Sequence, residues 1–308
     1  FSEYIKESAP NFLNNSSVDR TYFNKEVNNS FDCILTNPPF SIDLDNDTKK
    51  KIKSEFVFGD KKNSENLFIE RYYQLLRENG RLAVVLPESV FDTTENKYIR
   101  LFIFKYFKIK AVVSLPQLAF EPYTSTKTSL LFAQKKTKFE IEKWNELWKK
   151  YSDEWSNLKT RCENLLFVYL DGKDRKNYPS IKELDGNEEK EFLERMLKDY
   201  IEENDNRYSS KELIEKYEEE LRDLCKYDND TKDAFGFVNT WWVFGEVAKE
   251  LNYQIFMAEV ENIGYKKTKR GEKEKPNELY RINNIGEILI DDDIKETALD
   301  YLREVKWE

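Results

Sequence analysis

Three short apolar runs, each stopped by proline, constrain this chain more than any other feature. Phe31-Asp32-Cys33-Ile34-Leu35-Thr36 ends at Asn37-Pro38-Pro39, Leu82 to Leu86 ends at Pro87, and Ala111 to Leu115 ends at Pro116. Runs of this length between turn residues read as short buried strands. The stretches between them have helical spacing. Phe68, Tyr72, Leu75 and Leu76 fall at i, i+4, i+7 and i+8, with Gly80 placed to end that helix at its C′ position. Ile99, Phe102, Ile103, Tyr106 and Phe107 share one face of a second helix. Strand alternating with helix predicts a parallel sheet with right-handed crossovers. Thr128 to Ala133 adds a fourth strand with no helical pattern before it, so it is expected to run antiparallel to the third.

The rest of the chain reads differently. Residues 1–30 are a polar, irregular lead-in, and the opening at Phe1 reads as a fragment of a longer protein. From residue 139 to 308 a mainly helical extension is expected. Trp144, Leu147, Trp148, Tyr151, Trp155 and Leu158 form one stripe, and Leu165 to Leu170 reads as a strand ending at Asp171-Gly172. Residues 187–226 read as two helices. The second opens with a capping box, Ser209 to Glu212, and carries Ile214, Tyr217, Leu221 and Leu224 at heptad spacing. A helix docked on its own domain is preferred to a partner-binding one. Residues 266–278 read as a charged, Lys-rich loop.

Composition excludes several chemistries. The chain has 308 residues and no histidine, and its three cysteines (Cys33, Cys162, Cys225) lie far apart, so neither a zinc site nor a histidine base is expected. No metal is expected at all. Nothing resembles a disulfide framework or a membrane span, which fits a reducing cytoplasm. With 50 Lys and Arg against 59 Asp and Glu, the net charge is −9. A chain this acidic binds nucleic acid only through a local basic patch or a partner.

The segment that carries chemistry is Asn37-Pro38-Pro39-Phe40 at the carboxyl end of a strand, where open α/β sheets bind ligands. Two prolines fix φ and remove two backbone donors. A carboxamide oxygen, a carbonyl and an aromatic face remain. Two acceptors suit the two hydrogens of an exocyclic amine on a planar ring, such as adenine N6. Binding both draws the nitrogen toward tetrahedral geometry and frees its lone pair for attack on a sulfonium methyl, with no strong base needed. Phe40 can stack on a base flipped out of a duplex. An ordinary turn after a strand is the competing reading.

Residues 31–136 resemble the modification (methyltransferase) subunits of type I restriction–modification systems, within the wider N6-adenine DNA methylase family. The likeness runs in order through FDCILTNPPF, ENLFIERYYQLLRENGRLAVVLPESVF, IKAVVSLPQLAF and STKTSLLFAQKK. The stretch IFMAEVENIGYKKTKRGE resembles C-terminal segments of the same family more weakly. The resemblance implies a partial Rossmann-like class I methyltransferase sheet followed by a mainly helical region, with residues 31–138 as the catalytic part. It implies transfer of a methyl group from S-adenosylmethionine to adenine N6 in DNA. Asn37, Pro38 and Phe40 match the catalytic motif, with Pro39 beside the substrate and Asn37 also toward the cofactor. Phe120 matches a position that lines the adenine pocket, and Tyr123 competes for it. Core packing is an equal reading of both. DNA, a specificity subunit and a restriction subunit are the implied partners.

One departure limits what is implied. Such enzymes hold the methyl donor on a Gly-rich loop after their first strand, where backbone N–H groups can approach it. This chain has nine glycines and no G-x-G, and only 36 residues precede Asn37. The chain alone is therefore expected to bind the donor weakly and to be inactive. Two alternatives stand beside the leading reading. One is an Asn-Pro-Pro-Phe methyltransferase acting on RNA guanine or protein glutamine. The other is a non-catalytic assembly module that binds a specificity subunit.

Overall fold

The computed structural model describes residues 27–40, 42, 44–52, 56–58, 64–268 and 271–307. The lead-in reading of residues 1–30 therefore lies almost wholly outside the described residues. In chain order the larger elements are β1 (Phe31–Thr36), α1 (Asn46–Ile52), α2 (Ser64–Leu75), β2 (Leu76–Pro87), α3 (Ser89–Asp92), α4 (Lys97–Tyr106), β3 (Phe107–Ser114) and β4 (Thr128–Lys135). Then come α5 (Lys138–Tyr169), α6 (Gly186–Met196), α7 (Ser210–Lys216), α8 (Glu218–Leu224), α9 (Lys232–Phe235) and α10 (Thr240–Glu250). Strands β5 (Phe256–Glu259), β6 (Ile263–Thr268), β7 (Gly271–Asn277), β8 (Arg281–Ile282) and β9 (Ile288–Leu289) precede a last helix, α11 (Ala298–Leu302). The chain divides into two compact units, residues up to Ile141 together with Tyr253 onward, and Glu142–Asn252. The end of the chain, expected within the helical extension, thus groups with the first unit.

The first unit is a mixed α/β sheet with strand order β1-β2-β4-β3-β5. β1 pairs parallel to β2 and β3 parallel to β5, while β4 runs antiparallel to both of its neighbours, β2 and β3. The expected α/β class and the antiparallel pairing of the third and fourth strands are therefore present. The insertion of β4 between β2 and β3 is tertiary information that no local pattern carries. Val113, Val260 and Ala298 are buried against Leu130, Phe132, Phe256 and Ala258, so β5 and α11 close one end of the sheet.

Four local expectations change. β1 is not a buried strand: it ends the sheet order, and Leu35 is 78% exposed. The helix expected to reach Gly80 stops at Leu75, where β2 takes over, and the left-handed residue there is Asn79 (φ 60°). Gly80 serves a close approach instead, since a Cβ would lie 2.8 Å from the Arg77 carbonyl oxygen and 3.1 Å from that of Phe31. The helix expected to include Phe107 ends at Tyr106, and Phe107 opens β3. Much of the stretch expected as a loop is paired strand instead, because β6 (Ile263–Thr268) and β7 (Gly271–Asn277) run antiparallel.

The second unit is helical. α5 continues through the stretch expected as a strand, because Leu158, Cys162, Leu165 and Leu166 keep the i, i+4, i+7, i+8 spacing and are all buried. Gly172, in the left-handed region at φ 63°, follows its end. The expected capping box is formed: Ser209 Oγ accepts from the Glu212 amide, and Glu212 accepts from the Ser209 amide at 2.8 Å. The heptad positions Ile214, Tyr217, Leu221 and Leu224 are buried, but the single helix expected there breaks at Tyr217 into α7 and α8.

Candidate active site

β1 stops at Thr36 because Pro38 and Pro39 have no amide hydrogen to extend the ladder. The turn that follows splits its residues between core and solvent. Pro38 is buried, Asn37 and Pro39 are exposed, and Phe40 is half-buried. Pro38 thus anchors the turn while the Asn37 side chain faces outward at the strand's carboxyl end. The Phe40 ring meets the edge of Phe120, with centroids 6.2 Å apart and planes at 79°. That is the T-shaped geometry that aromatic quadrupoles favour.

Phe120 arrives from the loop between β3 and β4. These strands are antiparallel neighbours, so their connection returns at the same edge as the end of β1. The loop is laced by its own backbone. The Ala119 amide donates to the Pro116 carbonyl, Tyr123 and Thr124 donate to that of Phe120, and Leu115 donates to that of Thr128. The Gln117 carboxamide donates to the Ser125 carbonyl at 2.7 Å. From β6, the Tyr265 hydroxyl donates to the Ala119 carbonyl at 2.9 Å. The structure thus brings Phe120 to Phe40 and leaves Tyr123, three residues on, 92% exposed.

Other polar groups gather at this edge that the sequence reading did not single out. Glu88 follows the proline that ends β2, and its carboxylate accepts from Ser129 Oγ at 2.7 Å. Lys127 pairs with Glu259 at 3.1 Å, joining the start of β4 to the end of β5. Thr36 and Tyr72 place their hydroxyls 3.5 Å apart, and burial raises the Tyr72 phenol above its ordinary value. The one available signal was position, since Glu88 directly succeeds a strand-ending Pro87. Behind the edge, the buried Glu70 carboxylate accepts from the Val57 and Phe58 amides at 2.7 and 3.2 Å. Burial pushes its carboxyl up, against those two bonds.

Among the described residues, no group of three or more Cys, Asp or Glu side chains is placed to hold a metal ion, and no helix is long and apolar enough to cross a membrane. No two of the nine glycines are one residue apart.

The family model for N-6 DNA Methylase matches residues 5–220, and the chain belongs to that family. The chain is similar to the methylase subunit of the type I restriction enzyme EcoEI of Escherichia coli. Identity is 31% over 105 residues, covering 34% of this chain and 21% of that protein. The MpnII methylase subunit of Mycoplasma pneumoniae is 26% identical over 130 residues, 40% of this chain and 24% of its own length. This chain therefore spans about a quarter or less of the length of these curated relatives. Among solved structures it is similar to the M protein of the type I restriction enzyme EcoKI, at 27% identity, with 35% of this chain and 21% of that one covered and a TM-score of 0.29. For the type I methyltransferase subunit from Streptococcus thermophilus the figures are 25%, 36%, 24% and 0.31.

Proposed function

We propose that this chain forms the base-binding part of a DNA adenine-N6 methyltransferase belonging to a type I restriction–modification system. The observation that carries the reading is the pairing of Phe40 with Phe120 beside an outward Asn37 at the carboxyl edge of the sheet. In this reading an adenine leaves the duplex and stacks against Phe40, with Phe120 walling the pocket. The Asn37 side-chain oxygen and the Pro38 carbonyl accept the two N6 hydrogens and localise the nitrogen lone pair. Pro39 fixes the turn that holds both acceptors. The donor that family membership implies is S-adenosylmethionine. The glycines of this chain do not fit its usual cradle, so no step is derived through it, and the isolated chain is expected to be inactive. A specificity subunit would supply sequence recognition and a restriction subunit would complete the system, in the cytoplasm.

The test is single-turnover methylation by the complete enzyme. Asn37→Ala removes an acceptor needed in the transition state and should slow transfer by on the order of 10²–10³. A mismatch at the target adenine lowers the cost of flipping. It should partly rescue Phe40→Ala and leave Asn37→Ala slow. Near wild-type transfer by Asn37→Ala would reduce the motif to a turn.

A further inference from the structure

The β6–β7 hairpin is a basic stretch of an acidic sequence. Residues 265–276 hold six Lys or Arg and two Glu, a local +4 against −9 for the whole. Its described residues from Gly271 to Pro276 are all exposed, as is Lys266. In the register, Lys266 stands directly opposite Lys273. Like charges facing each other across two strands are destabilising. Neither lysine has a carboxylate partner among the described residues, so the pair stands ready for an anion.

The hairpin is also fixed in place. Tyr265, one residue before Lys266, donates to the Ala119 carbonyl, next to the ring that meets Phe40. Side chains alternate along a strand, so Lys266 and Lys273 lie on the ribbon face opposite Tyr265.

We propose that this hairpin grips the phosphate backbone of duplex DNA beside the adenine site, with Lys266 and Lys273 as its central phosphate contacts. Phosphate is the occupant that fits, because the ribbon's sequence is basic and Lys266 and Gly271–Pro276, among its described residues, are exposed and carry no aliphatic side chain larger than proline. The proposal rests on the adenine-N6 reading for its location but not for its chemistry.

The test titrates a labelled duplex into the purified chain without methyl donor, across about 50 to 200 mM salt. Each phosphate contact contributes about 0.9 to the slope of log affinity against log salt, so Lys266→Ala with Lys273→Ala should lower that slope by about 1.8. Over this range the wild-type chain should lose roughly tenfold more affinity than the double variant. Lys266→Arg with Lys273→Arg should restore the slope, which separates lost charge from lost fold. An unchanged slope, absence of duplex binding at low salt, or equal affinity for polyglutamate would overturn the proposal. Methylation is not read in this assay, so failure here leaves the Asn37 reading standing, and failure of Asn37→Ala to slow methylation leaves the hairpin standing.

Discussion

Phe40 and Phe120 sit 80 positions apart in the chain, yet their rings meet edge to face at 6.2 Å. A pair in this geometry couples by about 0.5–1.5 kcal/mol beyond its burial. The expected outcome is that Phe40→Ala and Phe120→Ala each weaken binding of a flipped base, within the 1–3 kcal/mol or so that stacking on an aromatic is worth. Together they should cost less than the sum. Tyr123→Ala should be nearly silent, because that ring lies in solvent. Fluorescence of 2-aminopurine at the target position would show it. A larger loss from Tyr123→Ala than from Phe120→Ala would reassign the pocket wall.

Gly80 gives a stability prediction on the other side of the same sheet. A methyl group there would press on two backbone oxygens, those of Arg77 and Phe31, and neither can swing away as a flexible side chain could. Gly80→Ala should destabilise the protein by about 1–3 kcal/mol, the usual cost of overpacking. Urea denaturation would measure it. A stabilised variant would mean that the backbone around Gly80 in β2 relaxes freely.

In the helical unit, Glu246 accepts from Lys198 at 2.7 Å and pairs with Arg195 at 2.6 Å and Lys249 at 3.0 Å. Burial pushes its carboxyl up, but the three cations outweigh burial and hold it at about 2, below an ordinary 4.5. As pH falls from about 4.5 to about 2, the unfolded chain takes up this proton before the folded one does. The group's contribution is therefore complete above pH 4.5 and lost on the way down to 2. Glu246→Gln should cost on the order of 3 kcal/mol at neutral pH, by leaving the buried Lys198 without its carboxylate, while Arg195 keeps Glu154 and Lys249 stays in solvent. It should also flatten the acid limb. Unfolding midpoints at pH 7, 4 and 3 would test both, and an acid limb as steep as wild type would refute the assignment.

The three thiols should separate cleanly by reactivity. Cys33 lies exposed on the edge strand, while Cys162 and Cys225 are buried. Burial pushes the Cys225 thiol up to about 12 and that of Cys162 well above its ordinary value, so neither supplies thiolate at neutral pH. Ellman's reagent should titrate one fast thiol per folded chain and three in denaturant. Two fast thiols in the folded protein would show that the helical unit opens.

What the sequence determined by itself was local. Apolar runs cut by proline located the strands near 31, 82 and 111, an apolar run without proline located the one near 128, and the Ser209–Glu212 pair fixed a helix start, because those signals act within a few residues. Asn37-Pro38-Pro39-Phe40 stood out for the same reason, since two prolines after a strand leave few other conformations. Tertiary structure decided what required distant partners. β4 slots between β2 and β3 and runs antiparallel to both, which returns the Phe120 loop to the end of β1, and the folded loop sets Phe120 against Phe40 while leaving Tyr123 exposed. The apparent strand at 165–170 became the end of α5, because burial over a long stripe outweighed a short apolar run. The charged stretch expected as a loop became the paired strands β6 and β7, because cross-strand backbone bonds are invisible in charge composition. Periodicity reports which face a residue presents, but only the folded chain supplies what that face meets.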